Sequence, residues 1–205
     1  GRRLSLMHQD VEAPEAFQNM EFILPAKAVA ELERLLQQTA PIKIYFNDKQ
    51  VAFELELEDS AKDNGLKHTI YLVSKKVEGR FPNYQQVIPQ NTEHHIRLER
   101  ALLLECIQRA ALVSNLENST VRLKFGENLL EISASSAEFG EAQESIAIAY
   151  EEAPVTIAFN PRFLLDPLKA LQDDDIFFEF KDELSPGVIK TNDQFLCVVM
   201  PLRLQ

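Results

Sequence analysis

The chain has 205 residues, 45% of them hydrophobic and 26% charged, an ordinary globular composition that allows one large domain or two smaller ones. Its formal net charge of −11 argues against a uniformly basic nucleic-acid-binding surface. No apolar run is long enough to span a membrane or to act as a secretory signal after the basic Gly1-Arg2-Arg3, and two isolated cysteines, Cys106 and Cys197, are typical of a reducing cytoplasm.

One pattern occurs three times along the chain: a short strand, a helix, and then two strands joined by a polar turn. Strands with a period of two residues beside helices with a period of 3.6 predict an α+β fold built from repeated modules. The predicted copies are strand 22–24, helix 25–38 and strands 42–46 and 51–57; strand 96–98, helix 99–113 and strands 120–125 and 129–133; and strand 156–159, helix 161–171 and strands 176–180 and 188–191. Further strands are predicted at 4–7, 69–75 and 145–150.

The polar segment 89–95 reads as a linker, and it divides the copies unequally. We therefore predict two domains, residues 1–89 with one copy and residues 90–205 with two. Because a domain built on two copies needs another copy at its start, the first domain is expected to be truncated.

The three helices show one apolar and one polar side each. In the first, Val29, Leu32 and Leu36 are predicted to be buried. In the third, Pro167 predicts a kink or an early end, since an interior proline costs roughly 3 kcal/mol. The helices carry more positive charge than the rest of the acidic chain. Their polar faces could therefore turn toward a polyanion, or they could simply be solvated.

Two apolar features have alternative interpretations. Leu112 falls on the polar side of the second helix, where it is either an isolated exposed residue or, with Val113, part of a subunit contact. The tail 200–204 is either an ordinary final segment packed on its own domain or part of a docking groove, because exposed apolar groups beside a proline commonly line one.

No residue pattern indicates catalysis. The chain has no glycine-rich phosphate loop, and no Ser or Cys has an evident base partner. The pair His94-His95 and the run Asp173-Asp174-Asp175 could hold a metal, but neither has a full set of ligands at ligand spacing, so a solvated linker and a polar turn are the preferred interpretations. We predict no catalytic residues, no metal and no cofactor.

Several segments together share a distinctive combination of residues: Gly1-Arg2-Arg3-Leu4, the segment 76–89 (KVEGRFPNYQQVIP), 109–115 (RAALVSN), 159–171 and 198–204 (VVMPLRL). In combination they resemble the bacterial DNA sliding clamp family, the beta subunit of the replicative DNA polymerase III. The segment 76–89 resembles the end of the family's middle domain, and 198–204 is similar to its C-terminus. The resemblance covers essentially the whole chain, which corresponds to part of the middle domain and the complete last domain.

The resemblance implies a DNA-clamp fold, with repeated helix-plus-antiparallel-sheet modules and the helices on one face. It implies a processivity factor that tethers the polymerase to duplex DNA without reading sequence and without catalysing a reaction. In a closed ring the helices line the hole, so modest positive charge suffices to screen phosphates while the ring slides. The residues implied to face DNA are Lys27, Arg34, Arg109, Arg162 and Lys169.

The resemblance also implies a groove between the middle and last domains, in which the replicative polymerase, the clamp loader and repair proteins insert short apolar peptides. An apolar floor with an adaptable methionine and a polar rim suits that task. The implied groove residues are Arg3, Leu4, Pro82, Val87, Asn160, Phe163, Leu184, Pro186, Val199, Met200, Pro201, Leu202 and Arg203.

The resemblance places a subunit contact at Leu112, Val113, Glu141 and Glu144, on the last-domain side of the family's ring closure. Because this chain is shorter than the family pattern, it is not expected to close the homo-oligomeric ring alone. The expected setting is the bacterial cytoplasm, associated with the nucleoid and not with a membrane.

Three departures from the family pattern bear on peptide preference. Arg2 stands where His is usual, Gln86 stands where Arg is common, and Phe163 stands where Tyr is common, so that one hydroxyl is lost. The leading hypothesis is therefore a DNA sliding clamp fragment. The alternative is a shortened regulatory protein that binds clamp-binding peptides without encircling DNA.

Overall fold

The computed structural model describes residues 2–10, 20–37, 39–57, 69–113, 120–192 and 194–203. In chain order the elements are β1 (Arg3–Met7), α1 (Ala26–Leu36), β2 (Thr39–Phe46), β3 (Gln50–Leu57), β4 (Thr69–Lys75), β5 (His94–Glu99), α2 (Arg100–Ala111), β6 (Val121–Gly126), β7 (Leu129–Ser136), β8 (Gly140–Ala147), β9 (Val155–Phe159), α3 (Pro161–Ala170), β10 (Asp175–Phe180), β11 (Gly187–Lys190) and β12 (Phe195–Val199). A 3-10 helix, Tyr84–Val87, precedes β5. No helix in these ranges is long and apolar enough to cross a membrane.

The chain forms two compact units. Unit one comprises residues 1–11 and 83–205, and unit two comprises residues 12–82. The strand β1 therefore packs with the C-terminal half of the chain, although its sequence position had placed it in the first predicted domain. The segment predicted as a linker also differs, since His94 and His95 begin β5. The domain boundary at residues 89 and 90 stays a prediction.

Unit one contains two antiparallel sheets, with the strand orders β1-β12-β11-β10-β5 and β8-β7-β6-β9. The two modules exchange their first strands: β5 precedes α2 but pairs with β10, and β9 precedes α3 but pairs with β6. The helices α2 and α3 pack against each other. This exchange joins two copies of the repeat into a single core.

The core of unit one is aliphatic and phenylalanine-based. Phe125 and Phe180 lie 4.7 Å apart between ring centroids, and Phe178 contacts both rings. From the helices, Leu103, Ile107 and Leu168 are at most 1% exposed. Burying a side chain of this size stabilises the fold by about 1.5–3 kcal/mol, so both helices are fixed by their apolar sides.

Pro167 lies inside α3 and is buried, yet the helix continues to Ala170. The helix therefore does not end early, and the alternative prediction, a kink, stays a prediction. Pro161 occupies the first turn, where its missing N–H costs nothing, and Asn160 caps the helix. The buried apolar side formed by Leu164 and Leu168 holds the helix across its proline.

Unit two consists of α1 and the three-stranded antiparallel sheet β2-β3-β4. Among the described residues of unit two, the fully buried side chains are Val51, Phe53 and Leu55, all from β3, against which Leu32 and Leu35 pack. The prediction that Val29 and Leu36 are buried is wrong, since they are 47% and 43% exposed. A core of this width covers only one side of α1, on which Leu32 and Leu35 are half-buried.

Candidate functional site

The C-terminal tail is tied down on both sides. The Met200 amide donates a hydrogen bond to the Arg2 carbonyl oxygen at 3.0 Å, and the Leu202 amide donates to the Ala158 carbonyl oxygen at 2.7 Å. The tail therefore runs on from β12 between β1 and the end of β9. Met200 is 37% exposed, Pro201 and Leu202 are half-buried, and Arg203 is exposed. The tail is thus fixed in place while part of its apolar surface stays open.

Arg3 connects β1 to α3 beside this tail. Its Nη1 donates to Asp166 Oδ2 at 2.6 Å, and its guanidinium lies 5.5 Å from the centroid of the Phe163 ring. An exposed ion pair of this kind stabilises by about 0.2–1 kcal/mol. The Phe163 ring lies within cation–π distance of this guanidinium.

Asn160 begins α3 and serves as its N-cap, because its Oδ1 accepts a hydrogen bond from the Arg162 amide at 3.0 Å. A side-chain oxygen at this position satisfies one of the amides that the first turn leaves without an intrahelical partner. The side-chain NH₂ of Asn160 is not used by this cap. Asn160 therefore combines a structural role with a donor that could face a ligand.

The turn before β11 carries two more of the residues predicted for the groove, Leu184 and Pro186. Asp182 Oδ1 accepts hydrogen bonds from the Ser185 hydroxyl at 2.7 Å, the Ser185 amide at 2.8 Å and the Leu184 amide at 3.0 Å. The bond from the Ser185 hydroxyl is the largest of the effects that hold the pKa of Asp182 below its ordinary value. This network presents Leu184, which is 67% exposed, and holds the half-buried Pro186 next to β11.

One predicted groove residue needs correction. Val199 is fully buried and belongs to the core of unit one, so its side chain cannot line an open groove. Its neighbour Val198 lies on the opposite face in register with Leu4 and is also buried, at 1% exposed. Neither valine therefore offers open surface.

Two further residues predicted for the groove are Val87 and Pro82. Val87 ends the 3-10 helix of unit one and is 47% exposed. Asn83 starts this helix, and its side chain accepts a hydrogen bond from the Gln85 amide at 3.1 Å. Pro82 is exposed and closes unit two. Its place in the groove stays a prediction.

The residues predicted to face DNA are exposed to different degrees and have different partners. Lys27 and Arg34 are exposed on α1 in unit two, where Arg34 binds Glu31 at 2.9 Å. In unit one, Arg162 is 80% exposed and Lys169 lies seven residues later on the same side of α3. Arg109 differs from the others because it contacts two acidic side chains, Glu105 of its own helix and Glu144 of β8.

Arg109 donates from Nε and Nη2 to the two oxygens of Glu144, at 2.9 Å each. Its Nη1 also approaches Glu105 at 3.4 Å. The pair joins a residue predicted to face DNA with one predicted for the subunit contact. The hydrogen bonds from Arg109 are the main reason that the pKa of Glu144 lies below its ordinary value.

The predicted subunit contact lies on one end of unit one. Leu112 is 80% exposed, whereas Val113 is half-buried and packs against the core. Glu141 and Glu144 lie on β8, which forms an edge of its sheet among the described strands. An open strand edge beside an exposed leucine is a surface suited to pairing with another chain.

The two candidate metal sites are placed in ways that disfavour coordination. His94 and His95 point to opposite faces of β5, with His94 against the Phe180 ring and His95 beside Glu179. In the other candidate, Asp175 binds Arg97, and the Asp173 and Asp174 carbonyls accept hydrogen bonds from Arg100. Within the described ranges, no group of three or more His, Cys, Asp or Glu side chains is placed to hold a metal ion.

Comparison with known proteins identifies the family. Residues 85–203 match the family described as DNA polymerase III beta subunit, C-terminal domain. The chain belongs to the DNA polymerase III beta subunit family. Over its whole length it is 32% identical to the beta sliding clamp of Haemophilus influenzae and 30% identical to that of Escherichia coli, and it covers 53% of each. The chain thus spans about half the length of the curated relatives that it matches.

Solved sliding clamps share the fold. A Caulobacter crescentus beta sliding clamp, crystallised with polyethylene glycol at a proposed beta-motif tethering region, superposes with a TM-score of 0.84 and is 27% identical, with 100% of this chain and 52% of that one covered. The Bartonella birtlesii sliding clamp bound to griselimycin superposes with a TM-score of 0.83 at 29% identity, over 99% of this chain and 52% of the other. The predicted family and the α+β clamp fold are confirmed.

Membership of the sliding clamp family also bears on the predicted chemistry. The expectation of a non-catalytic chain agrees with the names of its relatives, which are beta sliding clamps. The groove, DNA-facing and subunit-contact residues were assigned individually by resemblance. Their roles remain predictions.

Proposed function

We propose that this chain acts as part of a DNA sliding clamp, a processivity factor that keeps the replicative polymerase on duplex DNA in the bacterial cytoplasm. DNA would be held by enclosure within a homo-oligomeric ring and not by base contacts. Exposed Lys27, Arg162 and Lys169 support this proposal, because mobile surface cations screen phosphates without tight contacts. The acidic chain as a whole, with net charge −11, disfavours an open basic binding surface.

Within this function we propose that unit one carries a peptide-docking groove for the polymerase, the clamp loader and repair proteins. The groove is formed by the tail, β1, the first turn of α3 and the turn before β11. The observation that carries the proposal is the tail, which two main-chain hydrogen bonds fix between Arg2 and Ala158 while Met200 keeps open apolar surface. A rigid apolar floor lowers the entropy cost of binding a short peptide.

Fluorescence polarisation with a labelled Gln-x-x-Leu-Phe-type peptide tests the groove. Saturable binding is expected, and Met200→Ala should weaken it about tenfold, since an apolar anchor in a pocket contributes on the order of 1–2 kcal/mol. Met7→Ala is a matched control, because Met7 is a 63% exposed methionine at the far end of β1. Absence of saturable binding by the unaltered chain would reject the proposed groove.

A second measurement concerns DNA. The chain should show weak, salt-sensitive affinity for duplex DNA, because enclosure requires a closed ring and open surface contacts are screened by salt. Retention on nicked circular plasmid during gel filtration at 0.2 M NaCl should be negligible. Tight retention that survives salt and is lost on linearising the plasmid would show instead that the chain closes a ring by itself.

A further inference from the structure

A second concave site lies on the same sheet as the proposed groove. It is a cavity of about 570 Å³ on the outer face of β1-β12-β11-β10, and we call it the sheet-face pocket. One row of register partners crosses its floor: Leu6, Leu196, Lys190 and Phe177, contributed in turn by β1, β12, β11 and β10. His95 and Glu179 close one side.

The sheet-face pocket continues the face that carries the proposed groove. Leu4 and Leu6 lie on the same face of β1. Their register partners, Val198 and Leu196, lie on that face of β12. Two residues along a strand span about 7 Å. An extended peptide anchored at Leu4 therefore reaches Leu6 within two or three of its own residues.

Glu179 organises the polar side of the pocket. Its side chain is 8% exposed, Oε1 lies 2.5 Å from Lys190 Nζ and 2.8 Å from His95 Nδ1, and Oε2 accepts from the Thr92 hydroxyl at 3.1 Å. Both carboxylate oxygens are therefore occupied. Lys190, whose side chain is 38% exposed, has three N–H donors and uses one on Glu179 within the described contacts.

His95 also contacts the Glu179 carboxylate. Its Nδ1 faces the Glu179 carboxylate at 2.8 Å, and its Nε2 faces the Thr92 carbonyl oxygen at 3.0 Å. The Glu179 side chain is 8% exposed and both of its oxygens face partners, whereas the Lys190 side chain is 38% exposed. The ammonium group of Lys190 is therefore the charge that the pocket presents to a ligand.

We propose that the sheet-face pocket receives the side-chain carboxylate of an acidic residue, Asp or Glu, that flanks the apolar anchor of a peptide docked in the groove. The carboxylate binds Lys190, while Leu6, Leu196 and Phe177 cover the methylenes of the same peptide. Glu179 acts as a positioning residue that holds Lys190 and His95. This inference rests on the proposed docking function and adds a charge preference to it.

Paired peptides test the preference. The Gln-x-x-Leu-Phe-type peptide is extended by three residues at either end, with Asp or with its isostere Asn at each added position, and binding is measured by fluorescence polarisation at 50 mM NaCl. At one position the Asp peptide should bind about fivefold more tightly, as expected for a partly exposed charge pair, and the ratio should fall toward one at 0.5 M NaCl. Lys190→Met should abolish the ratio.

Lys181→Met is the matched control, since Lys181 is exposed just after β10 and binds Glu93 at 3.7 Å. It should keep the Asp preference. Zero-length carbodiimide cross-linking of the unaltered protein tests the contact without a variant, because the activated Asp carboxyl forms an amide with the nearest amine and releases a urea. Tryptic mapping should find the peptide on Lys190.

The outcomes separate the two proposals. Equal binding of every Asp and Asn pair, with the parent peptide still bound, overturns the sheet-face pocket and leaves the groove intact. A cross-link on Lys181 in place of Lys190 does the same. Absence of binding by the parent peptide overturns the groove and the pocket together.

Discussion

Arg109 of α2 and Glu144 of β8 bind each other through two hydrogen bonds, at 2.9 Å each. The bidentate geometry neutralises the charge that Arg109 would offer to DNA and fixes the last turn of α2 to an edge strand. The predicted DNA-facing surface and the predicted subunit contact therefore share an ion pair. A protein that must slide benefits when its cations are partly balanced, since fully free arginines hold phosphates tightly.

Replacing Glu144 tests this balance. The substitution Glu144→Gln should free Arg109 and raise the affinity of the chain for a 20-base-pair duplex roughly threefold at 25 mM salt, with the gain lost by 0.3 M. Fluorescence anisotropy measures it. Glu105→Gln is the control, because Glu105 makes the longer contact with Arg109, 3.4 Å, and its loss leaves the pair with Glu144 in place. An unchanged affinity in Glu144→Gln would place Arg109 away from DNA.

Glu179 should make the stability of unit one depend on acid pH. Burial acts to raise the pKa of Glu179, but the hydrogen bonds from Lys190 and His95 outweigh it, so its pKa lies below the ordinary value. A depressed folded pKa stabilises the fold above the unfolded pKa of about 4.3, and this stabilisation is lost as pH falls through the folded pKa. The free energy of unfolding should therefore drop below about pH 4.5.

The variant Glu179→Gln separates this effect from general acid unfolding. The stability difference between the unaltered chain and the variant should shrink as pH falls below about 5. Urea unfolding followed by labelling of Cys106 and Cys197 with dithiodipyridine reports on unit one, because both buried thiols lie there. The control variant Glu93→Gln shows how the loss of an exposed carboxylate changes the free energy of unfolding. A pH-independent difference would exclude the linkage.

Residue patterns predicted the repeat, the helices and the family, because periodicity and motif combinations are local properties of the chain. They did not predict where β1 packs. Strand pairing between residues 3–7 and 195–199 joins segments far apart in sequence, and period-two alternation alone does not name the partner strand. The C-terminal motif suggested a groove, but the adjacent valines 198 and 199 can be assigned to faces only once the register is known.

The helix α1 illustrates a second limit of predicting burial from the sequence. Its apolar positions fit a helical period, but periodicity does not say how wide the opposing core is. In the part of unit two that the structure describes, that core has three fully buried side chains, all from β3, so Val29 and Leu36 stay exposed and Leu35 packs instead. The ion pair of Arg109 was missed for the same kind of reason, since its partner is 35 residues away.

Gly187 should be intolerant of any side chain. A Cβ there would lie 2.8 Å from the Phe159 ring and 2.9 Å from the Phe178 ring, both buried in the core of unit one. Aromatic rings in a packed core cannot retreat without strain, so Gly187→Ala should destabilise by about 1–3 kcal/mol. The control Gly126→Ala should change stability little, because its nearest neighbour is 3.8 Å away. Thiol labelling under urea measures both, and equal stabilities would contradict the packing argument.

Asn160 allows a structural role and a binding role to be separated. Removing its cap in Asn160→Ala should cost about 1 kcal/mol of stability, because the Arg162 amide loses its acceptor. Asn160→Asp keeps an acceptor oxygen and should restore the stability, but it replaces the side-chain NH₂ that the cap leaves free. If the groove uses that donor, peptide affinity should fall in both variants while stability falls only in the first. Fluorescence polarisation and urea unfolding on the same samples decide this, and full peptide affinity in Asn160→Asp would confine Asn160 to its helix cap.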